Sequence, residues 1–454
     1  MAIQHWMTFG TFAEQRYFIY PSASTYYGII INGNMAAHAP DGLAAFLLEK
    51  TREKIPYIID PLTHAFQHDP TKLLTSKKDG TMEIKSSILG LAEHYGGIVK
   101  TILGSRPILP KDFNNANNDE PLINFVTSCL NFQKNQLAVR MAGSEVNLKY
   151  LEHEITDLVP YALVSPYFFM TESTIDLWLP IMIRGLKIAK EISAFDTDKI
   201  FASLVLSQGV IVRNDLIQKI IDSFNSIDVD GFLIWIDNLD EHYAGGEELK
   251  GLIKLARGLN RGSREVINLH GSYFSILASG DKFGDPSFSG VAHGPEFGES
   301  RPVMPVGGGI PIAKYYLKNL HNRIRYTDAL NFLLAKNWLK SSKIYYENVC
   351  NCDECTMNVI KDNIDNFKLF GVSDSKPVKR GRGYVTLDYP TKETKEHCLR
   401  HYLQIKNWEF EFASTASKNE LLQNLEKGKR DFEEIAGLEY VSYLDIWKTV
   451  LTSS

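Results

Sequence analysis

The chain has 454 residues, of which 44% are hydrophobic and 23% charged, and a formal net charge of −5. Such a balance describes a globular protein with apolar material for one large core or two ordinary ones. It leaves no apolar run near the roughly 20 residues that cross a bilayer, and it confines any nucleic-acid role to local basic patches. Met1-Ala-Ile-Gln-His-Trp6 has neither the basic nor the apolar region of a secretory signal. Together with clustered thiols this sets the expectation of a reducing, cytoplasmic location.

In chain order, Arg16–Pro21 and Tyr27–Asn32 read as short strands that end in turn residues. A helix over Gly42–Thr51 and an apolar run, Ile55–Pro61, follow. Residues 69 to 147 are polar and read as an insertion between early units. Beyond them come strands at Tyr161–Ser165, Ile200–Ser207, Gly231–Ile236, Val266–Leu269 and Phe288–Ala292. Helical stretches separate these strands at Ile175–Ile192, Asp215–Phe224 and Gly246–Leu259. Alternation of this kind over some 300 residues predicts an α/β fold, a (β/α)₈ TIM barrel rather than a doubly wound sheet. Neither G-x-G-x-x-G nor a G-K-[S/T] loop follows an early strand, which argues against a nucleotide-binding fold. The expected division is a barrel over residues 1–345 and a metal-binding subdomain with helices packing back on the barrel over 346–454.

Three of the five cysteines, Cys350, Cys352 and Cys355, fall within six positions as C-x-C-x-x-C. Thiolates so spaced can converge on one tetrahedral ion, and zinc then needs a fourth ligand. His401, on an expected helix, is the expected fourth ligand, and His397 one turn earlier is its competitor. Four protein ligands leave no open position, so such a zinc is structural.

In a barrel, chemistry gathers at the C-terminal ends of the strands. The polar residues there are Asp60, Ser165, Gln208-Gly209, Asp237, His270-Gly271 and His293-Gly294. If His64, His270 and His293 met at one point they would hold a catalytic metal, as in a barrel hydrolase.

The C-x-C-x-x-C run followed by a helical histidine near the end of an α/β chain resembles the tRNA-guanine transglycosylases. Leu399-Arg400-His401-Tyr402-Leu403 echoes that family's H-N-L, although 45 residues separate Cys355 from His401, more than the family has. The excess includes the basic stretch Ser373–Gly383, read as an inserted loop. Asp60-Pro61-Leu62-Thr63-His64-Ala65-Phe66-Gln67 stands where the family has D-S-G-G-F-Q. Gln208-Gly209 and Asp230-Gly231-Phe232 stand for its Q-G-G and D-G-Y. The resemblance implies base exchange at a nucleotide's C1′, with a structural Zn²⁺, Asp60 handling the base and Phe66, Gln208, Gly209, His270 and His293 as base contacts. The family's nucleophilic aspartate has no counterpart in Phe288–Glu299. Asp237 is the substitute by position, with Asp285, Glu296 and Glu299 as alternatives. Such divergence resembles the DNA-guanine transglycosylases, which insert 7-deazaguanines such as preQ0 into DNA. That implies DNA ahead of tRNA as partner, with Lys376, Lys379, Arg380 and Arg382, and the group Arg257, Arg261 and Arg264, on phosphates. A homodimer or accessory modification proteins stay open, as does a non-catalytic homologue that only binds nucleic acid.

Overall fold

The computed structural model describes residues 3–10, 18, 26–52, 55–77, 80–113, 119–142, 158–193, 198–295, 298–304, 312–380 and 383–453. Eight parallel strands form the barrel: β1 Gln4–Phe9, β2 Gly28–Asn32, β3 Tyr57–Asp60, β4 Leu163–Val164, β5 Ile200–Leu206, β6 Gly231–Ile236, β7 Glu265–Asn268 and β8 Gly290–His293. Each pairs with its sequence neighbour from β1 to β3 and from β4 to β8, and β8 pairs with β1. Between β3 and β4 the ring closes through the Ile58–Ala162 bridge, beside a 2.7 Å bond from Tyr161 N to Tyr57 O. Strands β2, β3, β5 and β6 are buried at every position, as parallel strands sandwiched between a filled interior and a helical layer must be.

The expected strands fall where the apolar runs lie, and β1 is an addition. The expected strand Arg16–Pro21 lies outside the described residues, apart from Phe18. Trp6 of β1 fills the barrel interior. Glycines on both neighbouring strands make room for it, because a Cβ at Gly28 would meet its ring at 2.3 Å and one at Gly290 at 2.9 Å. Below Trp6, at the N-terminal end of the barrel, Glu265 accepts from Gln4, Tyr161 and Lys199.

The polar region 69–147 supplies the crossover from β3 to β4. Its helix Glu120–Ala142 packs on helices Pro40–Arg52, Ser86–Tyr95 and Ile175–Ser193. After β8 the chain forms a hairpin, β9 Lys314–Leu317 with β10 Asn322–Arg325, and then the cysteine segment. The stretch read as an inserted loop is a second hairpin, β11 Ser373–Arg380 with β12 Gly383–Pro390, paired over eight residue pairs. Helix Lys392–Thr415 packs against the helix after β7 and so lies on the barrel wall. Helix Lys418–Ala436 packs on Lys318–Leu320 and on the last helix, Ser442–Ser453. That last helix returns to the barrel, where Trp447 Nε1 donates to Glu241 O at 2.8 Å. Among the described residues, no helix is long and apolar enough to cross a membrane.

Candidate functional site

The cysteine segment and helix Lys392–Thr415 meet at His401. Its Nδ1 lies 3.8 Å from Cys350 Sγ, 3.3 Å from Cys352 Sγ and 3.5 Å from Cys355 Sγ. All four ligand atoms fall within 4.8 Å of one another. These are the separations of ligands around one tetrahedral ion with bonds of about 2.0 to 2.3 Å. His401 Nε2 donates to Tyr316 O at 2.8 Å, which fixes the tautomer and turns the Nδ1 lone pair toward the sulfurs. Tyr315 stacks on the same ring with centroids 4.5 Å apart. The four residues therefore fit a metal ion. Of the two candidate histidines, His397 is taken elsewhere: its Nδ1 pairs with the buried carboxylate of Glu354 at 2.6 Å.

Asp60 ends β3 at the barrel mouth and is buried. Pro61 follows, and Leu62 then adopts a left-handed φ of 52°, which brings its N–H onto Asp60 Oδ1 at 3.1 Å. Tyr167, two residues past Ser165, donates its hydroxyl to the same oxygen at 2.5 Å. His64 Nδ1 lies 3.2 Å from the Tyr167 oxygen, and the same ring bonds the Val303 backbone. Burial raises the Asp60 carboxyl above its ordinary range, against the opposing pull of Tyr167, Leu62 and Arg301. Burial also holds His64 and His270 well below the ordinary histidine value, which keeps both rings neutral. Both rings meet the same indole edge to face, with centroids 5.1 and 5.0 Å from that of Trp235 and interplanar angles of 86° and 68°.

Asp237 follows β6 and, like Asp60, precedes a left-handed residue, Asn238 with φ 51°. Its Oδ1 accepts from Val303 N at 2.7 Å. Arg301 O accepts from Trp235 Nε1 at 2.9 Å and from Asn238 N at 3.0 Å. The segment Arg301–Val303 thus crosses the mouth between the two aspartates, and the Arg301 guanidinium stands 5.4 Å over the Trp235 ring.

Other expected site residues are placed differently. Phe66 is buried against Tyr95, in the layer between barrel and helices rather than at the mouth. Gln208 spends its NH₂ on the carbonyls of Asp237 and Asn238, at 3.0 and 3.1 Å, so it ties two strand ends together. Gly209 admits the Glu172 carboxylate, which a Cβ there would meet at 1.4 Å. His293 does not join His64 and His270. It bonds His5 Nε2 at 2.7 Å and the Tyr402 hydroxyl at 3.0 Å. Among the described residues only the Cys350, Cys352, Cys355 and His401 group gathers the ligands for a metal, so the three-histidine hydrolase site is not formed. Arg257 and Arg264 bind loop carbonyls at the N-terminal end of the barrel, opposite the mouth. Asp285 lies at that end too, in the segment that leads into β8. Glu299 pairs with the buried Lys406. Glu296, and Arg382 of the basic stretch, lie outside the described residues.

Tyr167, Trp235, Arg301 and His68, whose ring lies 5.8 Å from that of His64, were not among the expected site residues. Tyr167 stands just past a strand end in Ser165-Pro166-Tyr167, and His68 is four residues after His64, so both carried a positional signal. Trp235 read as core, and Arg301 sits in a loop without pattern.

A second polar cluster ties the closing helix to the barrel wall. Lys406, fully buried, lies 2.7 Å from Glu409, which also accepts from Tyr316 and His321. Burial alone would raise the Glu409 carboxyl, but Lys406 and His321 hold it down to about 2. A depressed carboxyl stabilises the fold above its unfolded value, and that contribution fades as pH falls toward the folded one. The shift corresponds to about 3 kcal/mol. The gap in urea midpoint between wild type and Glu409→Gln is therefore expected to narrow from about pH 5 to about pH 3. A gap unchanged over that range would contradict this.

Comparison with known proteins adds no identification: no family model matches the chain, and no curated protein does.

Proposed function

We propose that this protein is a base-exchange transglycosylase that replaces guanine in DNA with a 7-deazaguanine such as preQ0. The observation that carries the reading is Asp60, a buried carboxyl held above its ordinary range at the mouth of a barrel on whose wall helix Lys392–Thr415 brings His401 to the three clustered cysteines. A carboxyl held above its ordinary range keeps its proton to higher pH than an exposed one, which suits it to act as a general acid and to take the proton back as a base. His64 and His270 meet Trp235 edge to face, and these neutral rings give the wall of the mouth the aromatic character that a purine contacts.

In the first half-reaction an Asp237 oxygen attacks C1′. The C1′–N9 bond breaks with its electron pair leaving on guanine, and Asp60 gives guanine a proton. The product is an ester between Asp237 and C1′. In the second half, the incoming base loses its N9 proton to the Asp60 carboxylate and attacks C1′, which frees Asp237. Zinc at Cys350, Cys352, Cys355 and His401 has no open position, so its contribution is to the fold. A target guanine in a duplex has to be turned out of the stack to reach a recessed mouth.

Asp237→Asn is expected to remove the covalent protein–DNA adduct seen on denaturing gels. A persisting adduct would place the nucleophile elsewhere, with Glu296 and Glu299 next in line. The function itself is tested by mass spectrometry of nucleosides from the DNA and tRNA of cells with and without this protein. A 7-deazaguanine deoxynucleoside that depends on the protein supports the reading. A change confined to tRNA would keep the chemistry and replace the polymer.

A further inference from the structure

The hairpin β11–β12 is the one long element among the described residues that no core explains. Its two eight-residue strands pair only with each other. Eleven of their fifteen described residues are exposed, with Tyr384 at 74%. A two-stranded ribbon alone in water is marginal at best, so its length points to a surface that it meets. We propose that this ribbon enters the major groove of double-stranded DNA beside the base to be exchanged. The inference rests on the nucleic-acid reading above and adds to it the form of the substrate and the element that grips it.

Charge selects a polyanion. From Lys376 to Leu387 the sequence carries Lys376, Lys379, Arg380 and Arg382 and no carboxylate. Asp374 and Asp388 sit near the root, where Asp388 accepts from Ser375 at 2.5 Å. A protein partner that adds a strand meets Pro377, which has no N–H to offer on β11, and meets lysines along the same strand. Single strands are held in charged grooves lined with several stacking aromatics, whereas this is a protrusion with Tyr384 near its tip.

Dimensions select B-form DNA. The major groove is about 12 Å wide and about 8.5 Å deep and admits a two-stranded ribbon. The corresponding groove of an RNA duplex is too narrow for side chains to read. At about 3.3 Å per residue, that depth takes in roughly the outer three pairs: Val378–Val385, Lys379–Tyr384 and Arg380–Gly383. Lys379 and Tyr384 stand directly opposite one another and on one face, as a donor pair for base edges. Lys376, further back, comes level with the flanking phosphates.

The root lies on the way to the mouth. Thr391 N donates to Val372 O at 3.1 Å and anchors the hairpin at the start of helix Lys392–Thr415. Pro390 lines a cleft of about 560 Å³ that also takes in Lys314, Arg323, Lys395, Glu299 and Ser300. Ser300 precedes Arg301, which crosses the mouth. A strand that leaves the ribbon over this cleft meets Lys314, Arg323 and Lys395, with the carboxylates Asp240 and Glu299 beside them.

The test is binding of a fluorescent DNA duplex of about two helical turns, and of one of its single strands, across a salt series. The triple variant Lys376→Ala, Lys379→Ala, Tyr384→Ala is compared with wild type, and unchanged metal content and melting serve as the folding control. The expected result is duplex binding weakened by about tenfold or more, with a log–log salt slope smaller by about one and single-strand affinity nearly unchanged. Wild type that prefers the single strand, a variant that loses both ligands equally, or a variant that loses neither would overturn the proposal. Duplex binding through the ribbon without any base exchange would sink the enzymatic reading and leave the ribbon standing. Base exchange that persists in the triple variant at wild-type efficiency would do the reverse.

Discussion

Asp60→Asn is expected to lower the rate of base exchange by roughly two to four orders of magnitude while nucleic-acid affinity stays nearly constant. The amide keeps the shape of the side chain. Its Oδ1 can still accept from Leu62 N and from the Tyr167 hydroxyl, so the strained turn at φ 52° retains its support. What disappears is the transferable proton. Tyr167→Phe provides a graded control, because the Tyr167 hydrogen bond pulls the Asp60 carboxyl downward against burial. Without it the Asp60 pKa rises further, and the limb of the pH–rate profile that reports Asp60 moves to higher pH. An Asp60→Asn enzyme within about tenfold of wild type would remove Asp60 from the chemistry.

Loss of the metal is expected to have the largest effect on stability. Structural zinc sites of this ligand set contribute about 10 to 16 kcal/mol in small peptides, comparable with the whole stability of an ordinary domain. Purified protein is expected to carry one zinc per chain. Cys355→Ser, or a strong chelator, should release it and expose the segment from Cys350 to His401 to protease. The damage does not stop at the cluster. Tyr402 follows His401 and bonds His293 at the end of β8, and Lys406, one turn on, holds Glu299 and Glu409. The barrel wall should therefore loosen between β8 and β1, with a lower melting temperature. A metal-free protein of full stability would show that the four residues are only a buried thiol–imidazole cluster.

How much of this could be read from the residues depends on where their partners come from. Strands β2 to β8 announce themselves as apolar runs because a parallel sheet is buried on both faces. Strand β1, Gln4-His5-Trp6-Met7-Thr8-Phe9, does not, since its polar residues are satisfied only once the barrel closes, Gln4 by Glu265 and His5 by His293. The cysteine cluster was legible because its spacing is local, and His401 was the expected fourth ligand; what occupies its competitor His397 is Glu354, 43 residues away. Asp60 could be singled out as a strand end, but Tyr167, which shapes its chemistry, is 107 residues away. Hairpin β11–β12 looked like a loop because Pro377, the turn glycines and dense charge all argue against a buried strand. It is a strand pair that is not buried.

The central claim is base exchange in DNA, and isotope-labelled guanine tests it most directly. Purified, metal-loaded protein is incubated with the labelled base and either duplex DNA or tRNA, and acid-precipitable label is counted. Label is expected to enter DNA with wild type, and Asp60→Asn is expected to slow this incorporation by roughly two to four orders of magnitude. Label that enters tRNA alone would contradict the choice of polymer, and label that enters neither would contradict the account itself.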